Sequence, residues 1–149
     1  MSNKRRILLI DDEEIFTQLL KANLEATGRY TVQVENQGSL GLAAARAFAP
    51  DLILLDVVMP DIDGTQLAMA LQADPKLQGM SIVYLTAVAS SRSPQASALR
   101  GQTVLAKPVA TEEVLACLER ITRKLERDAD SGVLSSEMAP SVELTQEEG

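Results

Sequence analysis

The residues of this chain that can do chemistry stand at the ends of short apolar runs. Ile7-Leu8-Leu9-Ile10 stops at Asp11-Asp12, Leu52-Ile53-Leu54-Leu55 at Asp56, Ile82-Val83-Tyr84-Leu85 at Thr86, and Val104-Leu105-Ala106 at Lys107-Pro108. Three carboxylates in one crevice repel one another and rise in pKa unless a cation sits among them. Oxygen-only ligands select a hard ion; Mg2+, which keeps most of its waters, suits a site with two or three protein oxygens, and Mn2+ fits the same set. A phosphoryl group spreads its transition-state charge over three equatorial oxygens. A metal ion, the Thr86 hydroxyl and the Lys107 ammonium can each hold one, which leaves Asp56 as the in-line nucleophile.

The elements that must position these groups follow from the apolar pattern. Short apolar runs bounded by helical patterns read as strands buried on both faces, the mark of a parallel sheet with helical crossovers, and ligands bind beyond the carboxyl ends of such strands. Ile15, Phe16, Leu19, Leu20 and Leu24 trace one face of a helix that stops near Gly28, and Tyr30 to Val34 alternates as a strand. Ser39 is expected to cap a second helix through Phe48, ended by Pro50, with the third strand running from Asp51 to Asp56. After the turn Met59 to Gly64, Asp63 is expected to cap a helix from Thr65 to about Ala73, closed by Asp74-Pro75. Strand four covers Ile82 to Thr86; the Ser- and Pro-rich stretch after it leaves room for a short helix around Gln95 to Leu99.

Strand five ends at Lys107, and the Lys107-Pro108 bond is a candidate cis peptide that would aim Lys107 inward. Thr111 opens the last helix, with Glu112 and Glu113 at the favourable end of its dipole. From Asp128 onward the apolar periodicity fails, so residues 5–127 are expected to form the domain and 128–149 an acidic mobile tail or linker. Five strand-helix units with right-handed crossovers make a doubly wound α/β sandwich in which the first and third strands meet at the switch point.

Composition narrows the function. At 149 residues with a net charge of −7, the chain suits one domain and offers no basic surface, so direct nucleic-acid binding is not expected. No apolar stretch approaches the length of a membrane helix, and the lone Cys117 excludes an internal disulfide. A cytoplasmic protein with no membrane contact is the expectation.

Taken singly, each feature has a plain reading. Asp11 to Glu14 is a helix cap followed by dipole-favouring acids, Thr86 a strand threonine, Lys107 a solvated charge. Taken in order, Asp11-Asp12, Asp56 with Met59-Pro60 and Asp63-Gly64, Thr86-Ala87 and Lys107-Pro108 resemble the response-regulator receiver family of two-component signalling, from about Arg5 to Arg127. The resemblance implies a flavodoxin-like (βα)5 fold with strand order 2-1-3-4-5. It further implies that Asp56 accepts a phosphoryl group from a histidine kinase or phosphotransfer protein. Asp12 would bind Mg2+ directly, Asp11 mainly through water, and Val58 through its backbone carbonyl, while Thr86 and Lys107 grip the phosphoryl oxygens. A downstream target protein would then read the face made by strand four, the helix after it, strand five and the last helix.

The chain departs from the family pattern at two places. Val104 stands where an aromatic switch residue is usual, and Arg100-Gly101-Gln102 replaces the usual Gly-Ala pair before strand five. Two other readings compete. Asp61-Ile62-Asp63-Gly64-Thr65 matches the nucleophile motif of haloacid-dehalogenase-like phosphatases, but Asp61 lies beyond the strand end and the acid pair lies upstream rather than downstream. A receiver-like module that binds partners without phosphorylation is the alternative function.

Overall fold

The apolar runs form the middle of one sheet because nothing along them needs water. Ile7 to Ile10 and Leu52 to Leu55 are wholly buried, which requires cover on both faces and therefore helical crossovers. The computed structural model describes residues 4–87, 99 and 101–138, with side chains described through residue 128. The elements are β1 (Arg5–Ile10), α1 (Glu14–Glu25), β2 (Tyr30–Glu35), α2 (Gly41–Phe48), β3 (Leu52–Asp56), α3 (Gly64–Ala73), β4 (Ser81–Thr86), β5 (Thr103–Ala106) and α4 (Thr111–Met138). The five strands are all parallel and lie in the order β2-β1-β3-β4-β5. This is the flavodoxin-like doubly wound sheet expected from the sequence, with its switch point between β1 and β3.

The chain divides into two compact units, Met1–Glu113 and Val114–Gly149. All five strands belong to the first. Its core gathers Leu8, Ile10, Ile53 and Leu55 of the central strands with Ala45 and Phe48 of α2 and Leu67, Ala68 and Leu71 of α3. Right-handed crossovers put α1 on the opposite face from α2 and α3, because the chain reverses its direction across the sheet after β2. Among the described residues no helix is long and apolar enough to cross a membrane.

Local chemistry explains most element ends. Asp63 caps α3 as expected, accepting the Thr65 N–H at 2.9 Å and its hydroxyl at 2.7 Å. Asp74 ends α3 and then accepts the Lys76 N–H at 2.8 Å. Ser39, expected to cap α2, does not. Gly38–Leu40 forms a 3-10 turn, Leu40 takes the cap position without a side-chain bond, and the Ser39 N–H is instead given to Asp61 Oδ2 at 2.8 Å. The Ser39 side chain also hydrogen-bonds the Asp61 carboxylate, which draws the hydroxyl away from the helix end.

Helix α4 also differs from expectation. Glu113 reaches back to the Ala110 N–H at 2.9 Å, half of a capping box, but the helix does not stop near Arg127; it continues to Met138. Apolar periodicity reports packing rather than propensity, and from Lys124 to Met138 there is no Pro to break a helix, while Gly132 only weakens it. Residues 139–149 of the expected tail lie outside the described residues. So does most of the expected short helix at 95–99, and with it the segment of the partner-binding face around it; Leu99 alone is described there, and it is buried in the core.

Gly64 fixes the turn that follows β3. A Cβ on it would meet only backbone: the Asp56 carbonyl oxygen, Val57 Cα at 2.6 Å and Val57 O at 2.7 Å. A Cβ on Gly41 would meet the ends of Leu67 and Ile10 side chains, at 2.8 and 3.1 Å, which can turn aside. Gly64→Ala is therefore expected to cost about 2 kcal/mol or more in urea unfolding and Gly41→Ala about 1 or less. Equal losses would show that the Val57–Gly64 backbone yields as easily as a leucine methyl.

Candidate functional site

The pairing register brings the acids together. Ile10 pairs with Leu55 and Asp56 with Leu85, so Asp11, one residue past β1, comes level with Asp56 at the end of β3. Carboxylate oxygens of Asp11, Asp12 and Asp56 lie within 4.8 Å of one another. Asp11 and Asp56 are buried, at 0% and 4% exposure, and Asp12 is half-buried. Beyond Asp56 the chain stays tied to the sheet through the Val57 N–H on Leu85 O at 2.9 Å, and the Gly64 N–H on Val57 O at 2.8 Å folds α3 underneath. Val58 donates its N–H to Asp56 Oδ1 at 3.2 Å and leaves its side chain exposed beside the site.

Thr86 and Lys107 come from the neighbouring strands. Thr86 ends β4, is 8% exposed, and accepts the Lys107 N–H on its carbonyl at 2.8 Å. The Lys107-Pro108 peptide is cis, as the sequence suggested. From there Lys107 Nζ lies 2.7 Å from Asp11 Oδ2, 2.9 Å from Glu13 Oε1 and 3.6 Å from Asp56 Oδ2. The Phe16 ring stands beside it, with its centroid 5.1 Å away. All the residues singled out from the sequence therefore sit at one sheet edge.

Two residues that the sequence reading did not assign to the site also belong to it. Asn36 Nδ2 donates to the Asp11 carbonyl at 2.7 Å and to Thr17 Oγ1 at 3.0 Å, and so fixes the backbone of the acid pair. It lies just after β2, at the same carboxyl edge of the sheet, where a polar residue was a legible signal. Glu13 looked like a dipole-favouring acid, yet although it is the N-cap of α1 its side chain makes no capping bond. It turns to Lys107 instead, while its N–H caps Asp11 Oδ1 at 3.0 Å.

Charge in this crevice is unbalanced. Burial, then the charge of Asp11, push the Asp56 carboxyl up to about 7, against the opposing pull of Lys107 and the Val58 N–H. Burial likewise raises Asp11, more than Lys107 and the Glu13 N–H lower it. Burial alone would lower Lys107, but the Asp11 and Glu13 carboxylates outweigh it and hold the ammonium above its usual range. Asp11 Oδ2, fully buried, meets Lys107 as an ion pair outside hydrogen-bonding geometry. An all-oxygen set with more buried negative charge than one ammonium can neutralise fits a hard divalent cation. A carboxylate beside an ammonium at an open sheet edge is also placed to attack an electrophile.

Comparison with known proteins gives a consistent picture. A family model, the response regulator receiver domain, matches residues 7–119. The chain is 34% identical over 123 residues to the DNA-binding dual master transcriptional regulator RpaA of Synechocystis sp., covering 82% of this chain and 51% of that protein. Protein PilH of Pseudomonas aeruginosa is 31% identical over 117 residues, 78% of this chain and 96% of PilH. A receiver domain protein described as CheY-like, from Methanospirillum hungatei, superposes with a TM-score of 0.69 at 30% identity, covering 87% of this chain and 99% of that one. The chain spans about half the length of RpaA, and about a quarter, 26%, of Response regulator PleD of Caulobacter vibrioides.

The raised carboxyl makes stability depend on pH. Asp56 titrates near 3.8 as a free side chain and about 7 when folded, so the folded state holds the proton more tightly and stability falls as pH rises through this window. Asp11 acts in the same direction, while Lys107 stays charged throughout. Without divalent cations, Asp56→Asn is expected to be more stable than wild type by roughly 1–3 kcal/mol at about pH 8 and nearly equal to it at about pH 4. Thermal unfolding at the two pH values checks this; no gain at the higher pH would mean that Asp56 ionises like an exposed carboxyl.

Proposed function

This chain belongs to the response-regulator receiver family, and we propose that it accepts a phosphoryl group on Asp56 from the phosphohistidine of a histidine kinase or phosphotransfer protein. Receiver domains are regulatory proteins rather than classical enzymes; the product here is the switched protein itself. The observation that carries the reading is the meeting of a buried strand-end carboxylate, Asp56, with Lys107 Nζ 3.6 Å away and with Asp11 and Asp12 in one cluster.

An Asp56 carboxylate oxygen attacks phosphorus in line, the donor's N–P bond breaks, and the imidazole leaves with the bonding pair. Lys107 and Thr86 hold two of the phosphoryl oxygens as charge spreads over them. Asp12, Asp56 and the Val58 carbonyl would hold Mg2+ or Mn2+, with Asp11 reached mainly through water; the ion supplies neutralisation of the charge shared by the carboxylates and the phosphoryl group. The burial of Asp11 against Lys107 supports giving the direct contact to the more accessible Asp12.

The acyl phosphate carries about −1.5 to −2 charge where the carboxylate carried at most −1, and brings new acceptor oxygens, biasing an equilibrium between surface conformations that a downstream protein reads. The reader is a protein and not a nucleic acid, consistent with a net charge of −7. With Val104 exposed and apolar in place of an aromatic ring, the change is carried by the backbone between β4 and β5. The fold and the absence of a membrane-crossing helix among the described residues fit action in the cytoplasm.

Incubation with acetyl phosphate and Mg2+ should add one phosphoryl group per chain by intact mass. Asp56→Asn should add none, chelation should prevent the addition, and Asp12→Ala should weaken Mg2+ binding more than Asp11→Ala. Labelling of Asp56→Asn at the wild-type rate would reject the acceptor. No labelling of wild type, together with unchanged partner binding, would favour a module that works without phosphorylation.

A further inference from the structure

Lys107 has more partners than its task requires. Its ammonium has three N–H donors, and three carboxylates surround it: Asp11 at 2.7 Å, Glu13 at 2.9 Å and Asp56 at 3.6 Å. The two nearest are not the phosphoacceptor. The ammonium lies 3.6 Å from Asp56 and nearer to the other two, so a phosphoryl oxygen carried on Asp56 would draw it away from them, and the carboxylate that yields at lower cost is the one given up.

The two differ in what release costs. The Asp11 side chain is 0% exposed, and losing its cation would leave a buried carboxylate uncompensated. The Glu13 side chain is 60% exposed, so its carboxylate passes straight into water. The cleft of about 330 Å³ lined by Glu13, Phe16, Ala87, Lys107, Pro108 and Val109 leaves room for Glu13 to swing away.

Building on the phosphoacceptor reading above, we propose that Glu13 is a positioning residue: it holds Lys107 back from Asp56 in the resting protein and is the partner Lys107 surrenders when a phosphoryl group arrives. Glu13 then acts as a latch that favours the unphosphorylated state. Its carboxylate never touches the phosphoryl group; it acts through Lys107. Because the latch is an exposed ion pair, salt weakens it.

The test uses the full chain with Mg2+ and fluoroberyllate, an analogue of the phosphoryl group, titrated by amide NMR, which reports each variant's fold in the same sample. Glu13→Gln and Glu13→Ala should bind fluoroberyllate about three- to tenfold more tightly than wild type. The gain should shrink as salt rises, and should vanish when Lys107 is also replaced by Gln. Equal or weaker binding by the Glu13 variants overturns the latch, as does a gain that persists undiminished in the Lys107→Gln background. Wild-type binding that Asp56→Asn abolishes upholds the phosphoacceptor reading whatever Glu13 does, so the two fail separately; a wild type that takes up no fluoroberyllate overturns both.

Discussion

Three carboxylates at the carboxyl edge of a buried sheet face one ammonium, and the organisation of the site rests on that imbalance. Asp11 and Asp56 are carried out of water by strands whose preceding residues are wholly buried. Desolvation then raises both carboxyls, and Lys107 only partly opposes it. A site in this condition is poised to gain positive charge. The proposed cation is one source, and the proposed phosphoryl transfer is chemistry that such a cation and ammonium together can support. Removing one partner of a buried ion pair typically costs about 3–5 kcal/mol, which explains why Lys107 is held so firmly against Asp11 before any ligand is present.

The fold keeps the imbalance in place by rigid means. The register between β1 and β3 sets Asp11 level with Asp56. Asn36 ties down the Asp11 carbonyl, and Gly64 lets α3 close beneath Val57 without a side chain intervening. Asp63 secures the start of that helix. Positions set by strand ends and backbone hydrogen bonds hold geometry better than positions on free loops, so the acids cannot separate to relieve their repulsion.

Much of this was legible in the residues, and the reasons differ by element. Four apolar runs ending in Asp, Asp, Thr and Lys revealed the sheet and its functional edge together, because a strand buried on both faces tolerates a polar group only at its end. Asp63 was readable as a cap because its bond to Thr65 is local. Ser39 was not, since its backbone N–H and its side chain both turn to Asp61, a carboxylate 22 residues away. Glu13 was misread for the same reason: helix position alone assigns it to the dipole, and only the folded chain brings Lys107, 94 residues distant, within 2.9 Å. The length of α4 escaped because an absence of apolar periodicity marks an unpacked face, not the end of a helix.

Proton release on cation binding tests the charge imbalance most directly. With Asp56 titrating at about 7, calorimetric titration of Mg2+ into the wild-type chain at about pH 7, in buffers of differing ionisation enthalpy, should release on the order of half a proton per ion bound. The release should fade by about pH 9, where the carboxyl is already ionised. Binding of Mg2+ with no proton released anywhere between about pH 6 and 8 would contradict the account, because it would mean that the carboxylates were already charged and that their burial against a single ammonium had cost them nothing.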